Sequence, residues 1–360
     1  MNSGFRPSYP SIAATPLAGL STGQRSSAPK ITTVSGPAQG MIGRVLGDDF
    51  EITGLIGQGS HADVFSAVQY SVGKRPVAIK LQSHLYLSLA EQDLLKAGHA
   101  LLREAELLGG LAAPCFVDVY RTGQLQDRRA WMAMELAQGK PLAQRMVENR
   151  LTPQLIGDAM HQWAAGLAEM HRRSWVHRDV TPANAMLSVT ILGTQQLMTY
   201  DLGTATPIRS GPDRLRNGYD RDRPTGTAAY MSPEQAQGNA VDARADQFAL
   251  AVISWELLTG RRPFDPDVRS TAGILDYLRS NRPIPQHGLH SLRPDLPGET
   301  GSVLSRALDR DPERRYSDVL SFADALRDSL AEAPAGNTDG MPKTGSSSLL
   351  SRLFGRGEAK

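Results

Sequence analysis

Apolar positions alternate with a period of two in the first part of the chain and recur every three to four residues in the rest. FEITGLIG, HADVFSAVQY and RPVAIKLQ are β-branched and apolar runs, which predicts three strands joined by tight turns. A helix is predicted from about Ala90 to Leu111, and two more strand-like runs follow, FVDVYRTGQL and RAWMAMEL. From about Pro141 helices dominate. In QLIGDAMHQWAAGLAEMHRR, Ile156, Met160, Trp163, Ala164, Leu167 and Met170 recur at spacings of three and four. ARADQFALAVISWELLTG is apolar on most sides, as in a helix buried all round. The fold class therefore reads as α+β and bilobal. A small β-rich lobe covers residues 48–137, and a larger helical lobe covers 138–330.

The ends have a different composition. Residues 1–40 are rich in Ser, Pro, Gly, Ala and Thr and carry Arg6, Arg25 and Lys30 without an acid. Such a segment buries too little apolar surface to offset its ordering entropy, so it is expected to be disordered, as is the similar tail 331–360. No repeat recurs at a fixed period. A net charge of +2 in 360 residues gives no reason to expect a nucleic-acid partner or an anionic membrane surface. No run is long and apolar enough for a membrane span, and the first residues lack a secretory apolar core. The single cysteine, Cys115, cannot form an internal disulfide, which points to a reducing compartment and the cytoplasm. A secretion route that reads no such leader stays open.

Four stretches carry candidate chemistry. Ile56, Gly57, Gln58, Gly59, Ser60, His61, Ala62, Asp63 and Val64 lie between two strand patterns. Gly57 and Gly59 would let backbone approach a phosphate closely, although a plain hairpin turn explains them equally well. No helix follows, which argues against a dinucleotide site. Lys80 ends the apolar run that contains Ala78, about twenty residues further on. It is either an exposed strand end or a phosphate-holding lysine that needs a carboxylate to orient it. Glu104, in LLREAELL, is that carboxylate or a solvated helix residue. In His177-Arg178-Asp179-Val-Thr-Pro-Ala-Asn184 an Asp stands five residues before an Asn, which sets a proton acceptor beside a metal ligand. Asp201-Leu202-Gly203 follows a strand-like run and offers a carboxylate suited to a hard cation.

Taken in order, these stretches resemble the bacterial branch of the eukaryotic-like (Hanks-type) Ser/Thr protein kinases, over about residues 48–330. The resemblance implies the bilobal kinase fold, ATP and Mg2+ as cofactors, protein substrates, and transfer of the γ-phosphoryl group. It makes Ile56 to Val64 the lid over ATP, Lys80 the phosphate-binding lysine and Glu104 its partner. Asp179 becomes the catalytic base, and Asn184 and Asp201 the metal ligands. Met134 would be the gatekeeper, with Glu135 to Ala137 as the hinge strand against adenine. Gly226 to Glu234 is similar to the end of an activation segment, with Ser232 in place of Ala. Asp246 would brace the catalytic loop, and Arg315 would pair with Glu234. Arg178 would meet a phosphate on the activation segment. Autophosphorylation is expected between Thr204 and Thr227, at Thr225 above all, and self-association for it stays open.

The chain departs from the family's pattern in three places. Ala62 stands for the third glycine, Leu202 for Phe, and Thr181 for the lysine that usually neutralises the transferring phosphate. Thr181 brings no charge, and this keeps open the alternative of a pseudokinase, a nucleotide-binding scaffold with weak transfer activity. A small-molecule kinase of the same fold is a third reading, which Gly226 to Glu234 opposes. The remaining histidines, His84, His99, His161, His171, His287 and His290, show no metal-ligand spacing and read as ordinary. SSLLSRLFGRG is either a docking peptide or a frayed tail.

Overall fold

Strand alternation decides which way the chemistry of the small lobe points. The computed structural model describes residues 38–148, 151–189, 194–208, 226–264, 270–285 and 288–333. Its first strands are β1 (Val45–Leu46), β2 (Phe50–Gln58), β3 (Ala62–Gln69) and β4 (Arg75–Gln82). The helix α1 (Glu91–Gly110) separates them from β5 (Val119–Gln124) and β6 (Ala130–Glu135). All six strands join one antiparallel sheet in the order β1-β2-β3-β4-β6-β5.

Val77, Ile79 and Leu81 of β4 face one way, into a core with Phe50, Ile52, Phe65, Ala67 and Trp131. Ala78 and Lys80 therefore face the other way, since successive side chains alternate. On that side Ala78, Met132 and Met134 belong to a second core that includes Leu101, Ala105 and Leu108 of α1 and runs on through the helical lobe. The register fixes the neighbours of Lys80, which pairs with Val64 on β3 and Met132 on β6.

The folded part begins ahead of residue 48, where composition had placed its start. A 3-10 turn at Gln39–Met41 and β1 cover the outer core, with Ala38, Met41 and Leu46 buried. Ala38, Met41 and Leu46 are the apolar side chains of this stretch that meet the outer face of the sheet. At the other end Ala333 is buried and its carbonyl accepts from the Gln154 side chain.

Beyond β6 the chain crosses into β7 (Lys140–Pro141), which pairs with β9 (Ala185–Val189). Gly139 makes that crossing at φ 115°, and a Cβ there would collide with the Leu187 carbonyl oxygen. The helices α2 (Leu142–Glu148) and α3 (Pro153–Arg172) lead to β8 (Trp175–Val176). The β9 strand pairs with β10 (Gln195–Thr199), and β11 (Thr206–Pro207) pairs with β8. The rest is helical: α4 (Pro233–Gln237), α5 (Arg244–Thr259), α6 (Thr271–Arg279), α7 (Leu289–Leu292), α8 (Gly298–Ala307) and α9 (Val319–Leu330). The α5 helix is buried along almost its whole length, as its apolar sequence predicts.

A buried ion pair ties α4 to the segment before α9. Arg315 grips Glu234 through two bonds of 2.8 and 2.9 Å and also donates to the carbonyls of Asp309 and Arg244. Side-chain exposure is 0% for Arg315 and 7% for Glu234, so each charge depends on the other for solvation. Arg315→Leu is expected to cost about 3–5 kcal/mol, because it strands Glu234 without a cation. Urea unfolding measures this, and a loss below about 1 kcal/mol would show the pair to be dispensable.

Candidate active site

Lys80 is where the two lobes' chemistry meets. Its ammonium donates to both carboxylate oxygens of Glu104, at 2.7 and 2.8 Å, and to Asp201 Oδ1 at 3.1 Å. Glu104 can take this place because it lies on the buried stripe of α1, three residues after Leu101 and four before Leu108. The neighbouring Glu106 points to solvent. Glu104 also accepts from the backbone N–H of Leu202 at 3.1 Å, so one carboxylate holds β4, α1 and the Asp201 turn together.

The electrostatics follow from burial. Desolvation opposes the charge on Lys80, but Asp201 and Glu104 outweigh it and hold the ammonium above its ordinary range. Burial pushes Glu104 up to about 7 even against Lys80, and the like charge of Asp201 adds to the rise. Burial opposes ionisation of Asp201 too, yet Lys80 and the Gly203 amide keep that carboxyl below its ordinary value.

The loop from His177 to Asn184 hangs from the buried helix α5. Asp246 on α5 is 1% exposed. It accepts from the backbone N–H of His177 at 2.9 Å and of Arg178 at 2.8 Å, and it meets His171 Nε2 at 2.8 Å. Arg178 adopts a φ of 68°, an uncommon conformation for a residue with a side chain, and the two consecutive amides donated to one carboxylate hold it there. A 3-10 turn at Pro182–Asn184 then brings the Asn184 side chain back to the Asp179 carbonyl at 3.1 Å and its carboxylate at 3.4 Å. Ala185 pairs with Thr199 across the β9–β10 hairpin, so Asn184 and Asp201 emerge at the same end of it. Thr181 is 6% exposed, and its carbonyl accepts from the Asn184 N–H at 3.0 Å.

The expected lid lies in the β2–β3 hairpin. Ile56, Gln58, Ser60 and His61 are exposed; Gly59 N–H bonds the Ala62 carbonyl at 2.9 Å, and Val64 packs against the inner core beside Ala78. Gly57 has open space around it. Asp63 departs from the expectation. It shares the outer face with Phe65, is 2% exposed and lies 3.8 Å from His84, so its side chain turns away from Lys80. Period-two alternation imposes this once Val64 faces inward. Met134 is buried next to Ala78, and Glu135 and Ala137 are half-buried where the chain leaves β6. Thr225 and the arginines from Arg209 to Arg223 lie outside the described residues, as do His287, the first 37 residues and the tail peptide.

Two contributors escaped sequence reading. His171 looked ordinary, yet it is one of the three groups on Asp246. Gln235 carries no signature of the site chemistry; it forms a capping box with Ser232 and donates to the Arg178 carbonyl at 3.0 Å. The signal was present, since Ser-x-x-Gln is a helix-start signature.

Asp201 and Asn184 are hard oxygen donors, and no three His, Cys, Asp or Glu converge on a point among the described residues. Two protein oxygens suit magnesium, which keeps waters and takes phosphate oxygens to complete its shell. No helix among the described residues is long and apolar enough to cross a membrane.

The pattern of the family described as "Protein kinase domain" matches residues 50–330. The chain is 30% identical over 326 residues to the serine/threonine-protein kinase pkn2 of Myxococcus xanthus, covering 88% of this chain and 37% of that protein. It is also 30% identical over 283 residues to Pkn1 of the same organism, covering 79% and 38%. Identity to the serine/threonine-protein kinase PknB of Mycobacterium tuberculosis is 29% over 322 residues, covering 83% and 48%. The chain thus spans less than half the length of these relatives.

The brace on the loop should titrate. Burial opposes the Asp246 anion, but the bonds from His171 and the His177 amide win and hold its carboxyl below the ordinary 3.8. Folding then favours the ionised form, so this stability is present above the unfolded-state value and is lost as pH falls through the folded-state one. As pH falls from about 5 to about 3 the protein is expected to lose more stability than its Asp246→Asn variant. Urea midpoints across that range measure the difference, and parallel curves would remove Asp246 as the cause.

Proposed function

The chain belongs to the protein kinase domain family, and from that membership we propose that it transfers the γ-phosphoryl group of ATP to Ser and Thr hydroxyls of proteins. The observation that carries this reading is the Lys80 ammonium held between Glu104 and Asp201. Three separate segments converge there to orient one positive charge. Phosphoryl transfer needs little covalent help from the protein and depends on positioning and charge stabilisation.

On this reading Lys80 grips phosphate oxygens of ATP and Glu104 fixes its direction. The hairpin from Ile56 to Val64 covers the phosphates through its backbone, while Ala78, Glu135 and Ala137 border the base. Asp179 accepts the proton of the attacking hydroxyl, and Asn184, bonded to it, holds its orientation. Asn184 and Asp201 would hold magnesium, which supplies positive charge against the phosphate oxygens when bound. Thr181 brings no charge to the loop, so neutralising the transferred group falls to Lys80 and the metal. Autophosphorylation between copies of the chain belongs to the same proposal. So does a reducing, cytoplasmic setting, for which the support is the single cysteine, Cys115, a free buried thiol.

Lys80→Met and Asp179→Asn are each expected to lower transfer of labelled phosphate from ATP by about 10²–10³-fold, the usual cost of removing a group aimed at developing charge. Asp179→Asn should melt close to the parent, whereas Lys80→Met, which leaves the buried Glu104 carboxyl without its cation, should melt lower and is assayed below its melting temperature. Chelator should abolish transfer, and added magnesium should restore it. A folded Lys80→Met protein that labels a general protein substrate as fast as the parent would defeat the proposal.

A further inference from the structure

The two oxygen donors Asn184 and Asp201 arrive on different connections, and something must fix their separation. Magnesium binds in a near-ideal octahedron at about 2.0–2.1 Å and tolerates little displacement of its ligands. The β9–β10 hairpin ends its pairing at Ala185 and Thr199, just short of both residues. Past that point one backbone bond continues the ladder, from Tyr200 N–H to the Asn184 carbonyl, at a long 3.3 Å.

Tyr200 makes a second connection. Its phenol hydroxyl donates to the carbonyl of Ala183, the residue before Asn184. Tyr200 thus grips the loop at two successive residues while standing directly before Asp201 in the chain. The residue is half-buried and packs against the inner core. Asn184 is restrained from its other side by the Thr181 carbonyl and by Asp179. The Tyr200 hydroxyl is then the side-chain group that ties the Asn184 turn to the Asp201 strand.

We infer that Tyr200 is a positioning residue for the metal, setting the distance between Asn184 and Asp201 through its bond to Ala183. This rests on Asn184 and Asp201 being the metal ligands. Groups that orient metal ligands from behind typically change metal affinity by about 10–100-fold when removed. Tyr200→Phe deletes one oxygen and keeps the ring. It should weaken metal binding by about tenfold, and it should do so more for Mg2+ than for Mn2+, whose geometry is less demanding. At saturating metal, turnover and the KM for ATP should stay near the parent's values. A purely structural role would lower melting temperature and turnover together and would not discriminate between the two ions.

The test is titration of Mn2+ into the protein with a non-hydrolysable ATP analogue, followed by electron paramagnetic resonance, with Mg2+ as competitor. Parent and Tyr200→Phe are compared, with Tyr200→Met as a second variant that removes ring and hydroxyl. Weaker metal binding in both variants, with a larger loss for Mg2+, supports the inference. Unchanged binding in Tyr200→Phe overturns it, and an effect seen only in Tyr200→Met assigns the role to ring packing and overturns it too. If the parent binds the analogue but takes up no metal with it, the assignment of Asn184 and Asp201 fails, and the inference fails with it. If the parent binds metal and Tyr200→Phe matches it, only the role of Tyr200 fails.

Discussion

One ammonium group shared by two carboxylates holds the small lobe to the turn at Asp201. Lys80, Glu104 and Asp201 come from a strand, a helix and a turn, and Lys80 and Glu104 are too far from water to be solvated well on their own, while Asp201 stays partly open to it. Desolvating a charge costs several kcal/mol, so Lys80 and Glu104 are stable in place only together, with Asp201 as the second anion on the ammonium. The position of α1 and the orientation of the Asp201 turn are therefore linked, and Glu104 seals the link by also accepting the Leu202 amide. A shift of the helix would leave Lys80 and Asp201 with an incomplete set of partners.

The larger lobe uses a different device for a similar purpose. An anion at the start of the most deeply buried helix receives two consecutive amides and an imidazole, and these bonds hold the loop in a conformation that Arg178 would not adopt freely. Gln235 adds support from the next segment by donating to the Arg178 carbonyl. The small lobe's site is thus held by mutual attraction of side-chain charges. The loop carrying Asp179 is held by backbone donors on an interior charge.

The sequence revealed most where one residue's role followed from local periodicity. Lys80 falls on the inner face because Val77, Ile79 and Leu81 claim the outer one, and Glu104 stands out from Glu106 because it alone is in register with Leu101 and Leu108. The same rule, applied to β3, turns Asp63 outward; reading Ile56 to Val64 as one unit hid this. His171 was illegible, because its partner lies 75 positions away and only the fold brings them together. Gln235 was legible as part of a capping signature but was overlooked because Ser232 was read only as a replacement for Ala. The start of the folded part was misjudged because average composition cannot show that Ala38, Met41 and Leu46 meet one face of a sheet.

The two cores on opposite faces of the small sheet have a further consequence. Phe50, Phe65, Ile79 and Trp131 bury themselves within the small lobe alone, whereas Ala78, Met132 and Met134 share their core with the helical lobe. Substitutions on the outer face can therefore soften the sheet without altering any surface that the other lobe reads. The backbone amides of β4 and β6 lie between both cores and should be the slowest of the small lobe to exchange with solvent. Those of β1, held only at one edge of the sheet, should exchange soonest. The strand that presents Lys80 is in this sense the protected spine of its lobe, and variation can accumulate on the outer side while the inner side stays fixed.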